Sequence, residues 1–314
     1  MKNKTVIKEK YYYTLLNKGQ NMNLLVLKKK DKKKYPFLKS AFEEKGFTVK
    51  TADLTDLSLF SDMENSRIEG PIPKICDVGA VYFEAGLQST SFVEPLLSEI
   101  ERREIYCQVK KNSHYILSNE LLQITMLNSF NIKVPRTFIL RDLAKVKSVA
   151  PKLSYPVLFK VFSSGGKDQS TIVESEKALF SVSRGIKKKA SGVLLREFIE
   201  GDVDQVAVIG KKVFSIQRKL EKGELQDLKK AQVSALSAQD KETAIQAATI
   251  CGCDIATVKL CKGYVLKVKP LVNFLLYNKK TGEDLFECVA EFYREKTKQE
   301  KPVFKPAENE EAEK

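Results

Sequence analysis

Residues 155–217 read YPVLFKVFSSGGKDQSTIVESEKALFSVSRGIKKKASGVLLREFIEGDVDQVAVIGKKVFSIQ. Short apolar segments follow one another closely in this stretch, and only one helical segment, at about 176–187, interrupts them. The strand candidates are 155–162, 170–173, 193–199, 205–209 and 213–217. Strands joined by short connections pair antiparallel, because a parallel pair needs a long crossover. The stretch therefore predicts an antiparallel α+β layout.

The residues before this stretch follow a different pattern, in which apolar strand candidates alternate with helical segments. The strand candidates are 24–27, 47–49, 80–83 and 105–107, and the helical segments are 36–45, 92–102 and 115–129. Such alternation is typical of a small parallel sheet. After residue 217 the pattern predicts a helix at 239–249, a hairpin at 255–260 and 264–268, and a last helix at 285–293. The predicted fold class is thus α/β followed by α+β.

Composition indicates a globular chain of 314 residues, of which 43% are hydrophobic and 30% charged. Its apolar runs are shorter than a membrane span, and its N-terminus lacks the pattern of a secretory signal. The six cysteines are scattered, which favours reduced thiols and predicts a cytoplasmic protein. Cys251, Cys253 and Cys261 lie close in sequence, but there is no second CxxC pair and His114 is distant, so buried structural cysteines are favoured over a thiolate metal site.

The net charge of +14 is concentrated near the start of the chain. Residues 1–34 hold eleven lysines against Glu9 and Asp31, a surplus of +9, and the other 280 residues carry only +5. A run of basic residues is most simply a solvated loop, and the alternative is contact with nucleic acid or an acidic protein. The lysines of this run are Lys28, Lys29, Lys30, Lys32, Lys33 and Lys34.

Four segments carry a family resemblance through their order and spacing. They are 131–137 (NIKVPRT), 155–160 with 163–167 (YPVLFK and SSGGK), 194–201 with Asp202, Asp204 and Arg218 (LLREFIEG), and 253–255 with 263–270 (CDI and GYVLKVKP). Together they resemble the ATP-grasp superfamily, in the branch of glutathione synthetase and the RimK-like amino-acid ligases. The resemblance covers about residues 22–295. It implies an ATP-grasp fold behind an N-terminal parallel α/β domain.

The resemblance also implies roles for residues of a nucleotide cleft, with ATP as the candidate ligand. Lys160 matches a phosphate-contacting lysine, although a lysine at a strand end is often simply solvated. Arg218 matches an arginine that points at the phosphate or acyl phosphate, and Asp202 or Asp204 would hold the ribose, although a Gly-Asp pair is also a routine turn. The flexible phosphate loop would be Ser163, Ser164, Gly165, Gly166 and Lys167, with an ordinary hairpin turn as the alternative. The strand that pairs with adenine would be Glu197, Phe198 and Ile199.

The chain departs from the family pattern at its metal site. Asp254 matches the first acidic ligand, but the following Glu and Asn positions fall on Lys267 and Lys269. Magnesium requires oxygen ligands, and two ammonium groups would repel it. Glu120 stands where the family has a phosphate-side lysine. We expect Lys267 and Lys269 to share one side of their strand and to be paired with Asp254, Glu120 or another acid, or to stay wet and bind an anion.

These departures leave three interpretations open. The first is a degenerate ATP-grasp protein that binds a nucleotide or polyanion, with weak or absent magnesium binding and no turnover. The second is an ATP-dependent carboxylate–amine ligase that works through an acyl phosphate, with the lysines replacing magnesium or with Asn273 and Asp254 recruited by a shifted alignment. The third is an unrelated α/β fold. The predicted division is a basic extension at 1–21, an α/β domain at 22–112, an ATP-grasp domain at 113–296 with a lid at about 135–200, and a disordered acidic tail at 297–314.

Overall fold

The computed structural model describes residues 22–28, 33–62, 66–84, 90–163, 168–186, 190–221 and 224–298. The predicted basic extension at 1–21 lies outside these residues, and so does the predicted acidic tail from residue 299 onward. Within the described residues, no helix combines the length and the hydropathy that crossing a bilayer requires.

The described strands number seventeen, and most are short. In chain order they are β1 (Met22–Lys28), β2 (Phe47–Asp53), β3 (Ser58–Ser61), β4 (Ser66–Glu69), β5 (Ala80–Glu84), β6 (Tyr106–Cys107), β7 (Thr137–Leu140), β8 (Val157–Ser163), β9 (Gln169–Val173), β10 (Ala190–Glu197), β11 (Val203–Ile209), β12 (Lys212–Arg218), β13 (Leu220–Glu221), β14 (Glu224–Leu225), β15 (Gln232–Val233), β16 (Ile255–Cys261) and β17 (Tyr264–Lys269).

Nine α-helices lie among the described residues. They are α1 (Tyr35–Glu44), α2 (Thr90–Arg102), α3 (Ser113–Ser118), α4 (Glu120–Ser129), α5 (Val146–Val149), α6 (Glu176–Arg184), α7 (Ala238–Ile250), α8 (Phe274–Thr281) and α9 (Leu285–Lys298). Single turns of 3-10 helix occur at Leu54–Asp56, Ile75–Asp77, Leu143–Lys145, Ala150–Lys152 and Leu228–Lys230.

The N-terminal sheet has the order β2-β1-β5-β6, and the β1–β2 and β5–β6 pairs are parallel. Its central strands are apolar throughout: residues 24–27 of β1 and all of β5 are buried. A continuous apolar run is what a parallel strand covered on both faces requires. The predicted α/β part is therefore confirmed. The sequence pattern did not predict the antiparallel pair of β3 and β4.

The last helix, α9, packs with the N-terminal sheet. The hydroxyl of Tyr293 donates a hydrogen bond to the carbonyl oxygen of Val81 at 2.9 Å, and its ring meets those of Phe42 and Tyr106 edge to face. The described residues within 22–83, 99–107 and 286–298 form one compact unit, and the described residues within 84–98 and 108–285 form the other. The contacts of Tyr293 on α9 thus lie within the first unit, and the predicted domain boundaries stay a prediction.

The second unit contains two larger antiparallel sheets and the separate antiparallel pair of β13 and β14. The middle sheet has the order β7-β10-β8-β9, and the C-terminal sheet has the order β15-β12-β11-β16-β17. One face of the middle sheet forms a core with α5 and α6 that includes Phe159, Val193 and Leu179. One face of the C-terminal sheet forms a second core with α4 and α7 that includes Val206, Val258 and Leu127. The antiparallel layout predicted for residues 155–217 is confirmed.

The single helix predicted at 115–129 is instead two helices that meet at Asn119. The backbone of Asn119 is extended (φ −115°, ψ 112°), and its side-chain oxygen accepts hydrogen bonds from the backbone N–H groups of Leu121 and Leu122, both at 3.0 Å. Asparagine is a favoured N-cap because it satisfies these otherwise unpaired donors. The break makes Glu120 the first residue of α4.

Candidate functional site

The carboxylate of Glu120 lies at the centre of a cluster of cations. Its Oε2 accepts a hydrogen bond from Lys160 Nζ at 3.1 Å, and its Oε1 accepts one from Arg196 Nη2 at 2.9 Å. Lys267 Nζ lies 3.7 Å from the same Oε1. We call Glu120, Lys160, Arg196 and Lys267 the Glu120 cluster. It joins the middle sheet, the C-terminal sheet and the start of α4.

A side-chain amide on α4 holds the helix against the edge strand β17. Gln123 Nε2 donates to the carbonyl oxygen of Val268, and Gln123 Oε1 accepts from the N–H of Val268, both at 3.0 Å. Residues three apart share one face of a helix. Gln123 therefore brings Glu120 to the strand that carries Lys267.

The register of the middle sheet sends Lys160 and Arg196 to the same face. On β8 and β10, Lys160 pairs with Leu194 and Arg196 pairs with Leu158, so all four side chains point the same way. The opposite face carries the apolar core with Phe159 and its neighbours. The two cations are thus presented on the face that the core does not occupy.

Arg196 is fixed more firmly than the other cations of the Glu120 cluster. It is only 7% exposed, and its Nη1 donates to the carbonyl oxygen of Leu266 at 3.3 Å. Leu266 forms a β-bulge, because Lys259 pairs with Lys267 while Leu260 pairs with Val265. Arg196 Nε is buried and has no hydrogen-bond partner within the described residues.

The electrostatics of the cluster favour a charged Glu120. Burial acts to raise the pKa of this carboxyl, but Arg196, Lys267 and Lys160 outweigh burial and lower the pKa to about 2. Burial acts to lower the pKa of Lys160, while Asp168 and Glu120 raise it above its ordinary value. Lys160 Nζ lies 3.1 Å from Asp168 Oδ2. Glu120 is therefore ionised at neutral pH and serves as the counter-ion of three cations.

Lys267 is less well compensated. Burial lowers the pKa of Lys267, and the attraction of Glu120 does not offset burial together with the repulsion of Lys269, Lys160 and Arg196. The expectation that an acid such as Glu120 faces Lys267 is confirmed. Lys160 and Lys267 both contact Glu120 and therefore lie in the same cluster.

A third lysine of the hairpin, Lys259 on β16, lies directly across from Lys267. Lys269 pairs with Thr257 two positions along, so Lys259, Lys267 and Lys269 share one face of the C-terminal sheet. Burial lowers the pKa of Lys259 to about 8, and Lys269, Arg218 and Lys267 contribute. Within the described residues, neither Lys259 nor Lys269 forms a salt bridge. We call Lys259, Lys267, Lys269 and Arg218 the basic face.

The residues at the predicted metal positions do not fit a magnesium ion. Lys267 and Lys269 offer ammonium groups rather than oxygen ligands, and the residue opposite Lys267 is Lys259. Asp254 precedes β16 and lies five residues from Lys259, about 16 Å along an extended strand. In the part of the chain that the structure describes, no group of three or more His, Cys, Asp or Glu side chains could hold a metal ion.

Asn273, the residue that a shifted alignment would have recruited, is a helix cap. Its side-chain oxygen accepts from the backbone N–H of Leu276 at the start of α8. The structure thus brings neither Asn273 nor Asp254 into the Glu120 cluster.

Arg218 lies on the basic face but is tied to a neighbouring loop. Its Nε donates to the carbonyl oxygen of Gln226 at 2.6 Å, and its Nη2 donates to that of Leu225 at 3.2 Å. It forms no salt bridge with Glu120 within the described residues. A role at the reacting phosphate remains a prediction for Arg218.

The predicted adenine-binding strand leaves few backbone groups for a ligand. The N–H of Glu197 donates to the carbonyl oxygen of Arg136, and that of Phe198 donates to the carbonyl oxygen of Pro156. The carbonyl oxygen of Ile199 accepts a weak bond from the thiol of Cys261. Within the described residues the N–H of Ile199 donates to no backbone carbonyl. It is therefore the backbone donor that the predicted contact with adenine would use.

The two aspartates predicted to hold a ribose are engaged within the protein. Asp202 Oδ1 accepts from the N–H of Leu220 at 2.9 Å. Asp204 Oδ1 accepts from Ser234 Oγ at 2.7 Å. Asp204 also pairs with Leu260 in the register, which places it on the face opposite to Lys259. A ribose contact stays a prediction, and Asp204 does not share the basic face.

Two predicted segments fall mainly outside the described residues. Of the proposed phosphate loop, Ser163 ends β8, and Ser164, Gly165, Gly166 and Lys167 are not described. Of the basic run, Lys29, Lys30 and Lys32 are not described either. Lys28 Nζ lies 5.3 Å from the centre of the Tyr35 ring, and Lys34 is buried. Polyanion contact through this run stays a prediction.

The comparisons with known proteins agree with this architecture. The model of the RimK-like ATP-grasp domain family matches residues 117–285, more than half of the chain. A probable alpha-L-glutamate ligase of Vibrio atlanticus (strain LGP32) is 23% identical over 274 residues, which are 83% of this chain and 91% of the relative. Its counterpart in Haemophilus influenzae (strain ATCC 51907 / DSM 11121 / KW20 / Rd) is 23% identical over 223 residues, which are 67% of this chain and 74% of that relative.

Solved structures show the same fold. The ATP-grasp ligase PsnB complexed with minimal precursor, Mg and ADP has a TM-score of 0.66 at 14% identity, covering 88% of this chain and 97% of that one. The RimK domain protein ATP-grasp from Sphaerobacter thermophilus has a TM-score of 0.62 at 16% identity, covering 86% and 98%. The unrelated α/β interpretation is therefore wrong. The chain belongs to the RimK-like ATP-grasp family.

Proposed function

We propose that this protein is an ATP-dependent carboxylate–amine ligase. The observation that carries the proposal is the Glu120 cluster, in which Lys160 and Arg196 from the middle sheet and Lys267 from the C-terminal sheet converge on one anion. Cations aimed from two sheets at one point are suited to the negative charge of a transferred phosphoryl group. The relatives' names and the ligase structures of the same fold support this reading over a protein without turnover.

The proposed reaction has two steps. A carboxylate oxygen of the acceptor attacks the γ-phosphorus of ATP, the bond from phosphorus to the bridging β–γ oxygen breaks, and ADP leaves. An amine nitrogen then attacks the acyl carbon, the bond from that carbon to the phosphate oxygen breaks, and inorganic phosphate leaves as the nitrogen loses a proton. In this chain Lys160, Arg196 and Lys267 would stabilise the charge on the transferred phosphoryl group. Arg218 would contact the acyl phosphate.

The substrate class is taken from the relatives. Two of them are named alpha-L-glutamate ligases, so glutamate is the amine substrate to test first. The macrocyclase MdnC is bound with precursor peptide MdnA in its structure, which has a TM-score of 0.65 to this chain at 14% identity. A peptide carboxylate is therefore the first acceptor class to test.

A second candidate, nucleotide binding without turnover, is favoured by the ammonium groups at positions 267 and 269. Hydroxylamine trapping separates the two candidates. The ligase proposal predicts hydroxamate formation from ATP and an acidic peptide, and at least tenfold less hydroxamate with Lys160→Met, the change expected for loss of about 1.4 kcal/mol. Equal, background-level hydroxamate with the unmodified protein and with Lys160→Met, while ATP still binds, would establish the second candidate instead.

A further inference from the structure

The basic face and the Glu120 cluster together hold more positive charge than the described acids neutralise. Their cations are Lys160, Arg196, Arg218, Lys259, Lys267 and Lys269. The carboxylates paired with them are Glu120 and Asp168, and both of these contact Lys160. Six cations against two carboxylates leave a surplus of four positive charges when all are ionised. Positive charge concentrated on the basic face and in the adjoining Glu120 cluster favours the binding of an anionic ligand.

We infer that the basic face is a metal-free polyphosphate site, in which Lys259, Lys267 and Lys269 neutralise the phosphates directly. In this site the carboxylate of Glu120 neutralises the cations when no phosphate is bound, and the ligand displaces it. The inference rests on the proposed nucleotide site and deepens it. It assigns to Lys259 a ligand contact that the family resemblance did not suggest.

The geometry supports this inference at three points. Lys259 and Lys267 are a direct cross-strand pair, which brings two cations together without an acid between them in the register. Lys267 reaches Glu120 only at 3.7 Å, longer than a direct hydrogen bond, so this contact is the easiest of the three to exchange for a phosphate oxygen. Arg196 Nε is a buried donor without a partner in the described part of the chain, and a ligand oxygen would satisfy it.

The alternative that the site takes a divalent cation conflicts with the same geometry. A cation entering beside Lys259, Lys267 and Lys269 meets three like charges and no described cluster of oxygen ligands. Phosphate oxygens at the same place are negatively charged, so the three lysines attract them. The chemistry therefore selects the anion alone over the metal–anion complex.

The test is a calorimetric titration of the full chain with inorganic tripolyphosphate in the presence of EDTA. We expect binding without a divalent cation, and an affinity reduced at least about tenfold in Lys259→Met and in Lys267→Met. Methionine keeps the apolar stem and removes a charge that repels its neighbours, so neither variant should lower the unfolding midpoint. Lys241→Met is the matched control, because Lys241 is an exposed lysine of α7, which packs on the opposite face of the sheet. Its affinity should not change.

Glu120→Gln provides the second arm, since removing the competing carboxylate should tighten tripolyphosphate binding. Absence of binding in EDTA, equal losses in Lys241→Met and Lys267→Met, or binding that appears only when Mg²⁺ is added would each overturn the inference. These outcomes are distinct from failure of the ligase proposal, which concerns hydroxamate and leaves tripolyphosphate binding unaffected. If ATP binding depends on a metal ion and hydroxamate still forms, the metal-free site is overturned while the ligase proposal stands.

Discussion

At the scale of single residues, Glu120 is the shared counter-ion of the cations in the site. It stands at a position where the family resemblance implies a lysine, and it contacts three cations contributed by two sheets. As the first residue of α4 it also lies at the positive end of the helix dipole. The same side chain thus stabilises the folded protein and, in the proposed phosphate site, would compete with an anionic ligand.

The first prediction concerns the stability that Glu120 provides. Its pKa falls from the ordinary 4.5 to about 2 on folding, so its contribution is present above about pH 4.5 and is lost as the pH falls toward 2. Glu120→Gln should lower the free energy of unfolding by about 2–3 kcal/mol at pH 7 and flatten its dependence on pH below 4.5. Urea denaturation at several pH values measures this. Glu283→Gln, at an exposed site after α8, is the control. A loss that is equal at pH 2 and pH 7 would contradict the assignment.

A second prediction at this scale concerns Lys259. Because its pKa is lowered to about 8, part of the Lys259 population is neutral in the free protein at slightly alkaline pH. A bound phosphate favours the charged form, so binding should take up protons above about pH 8 and weaken as the pH rises further. Titrations in buffers of different ionisation enthalpy report this proton uptake. Lys259→Met should remove most of it, and uptake that persists in this variant would assign the proton to another group.

At the scale of elements, the site depends on how α4 meets β17. The side-chain amide of Gln123 hydrogen-bonds the N–H and C=O of Val268, as a neighbouring strand would do at this edge of the sheet. The bulge at Leu266 supplies the carbonyl oxygen that holds Arg196. One helix side chain and one irregularity of an edge strand therefore set the positions of two members of the Glu120 cluster.

The third prediction follows from this arrangement. Gln123→Leu leaves the N–H and C=O of Val268 buried without partners, which should cost about 2–4 kcal/mol of unfolding free energy. Because α4 then loses its link to the strand that carries Lys267, the affinity of the variant for tripolyphosphate should also differ from that of the unmodified protein. Thermal unfolding and calorimetry measure the two effects. Gln246→Leu, on the exposed side of α7, is the control and should change neither. Full stability in Gln123→Leu would show that α4 is held by its apolar contacts alone.

Much of this element-level organisation was predictable from the sequence, since the change from alternating to closely spaced strands and the 255–268 hairpin gave the right sheets. Lys267 opposite Glu120 was also anticipated. Lys259 was missed because its importance depends on the hairpin register, which the bulge at Leu266 shifts by one residue. Arg196 was given no role within the segment 194–201, and the direction of its side chain became clear only from the pairing of β10 with β8. Two features of the sequence could have pointed to these residues. Thr257 and Lys259 alternate with apolar residues along β16, and Arg196 is a lone arginine in an apolar strand.

At the scale of the whole molecule, charge is distributed unequally in two respects. The surplus of +9 in residues 1–34 lies outside the segments that match the family. The second surplus is small in number but concentrated on one face of the C-terminal sheet, where Lys259, Lys267 and Lys269 lie together. The family's fold is retained around it at TM-scores of 0.62–0.67. We therefore propose that this RimK-like protein binds its nucleotide through lysines in place of a metal ion.

The affinity of the unmodified chain for ATP, determined by calorimetry once in EDTA and once in excess Mg²⁺, tests this proposal most directly. We expect ATP to bind in EDTA at least as tightly as in Mg²⁺, because free ATP carries the full negative charge that the basic face neutralises, whereas magnesium cancels part of that charge. Tightening by Mg²⁺ of more than about tenfold, or 1.4 kcal/mol, would contradict it.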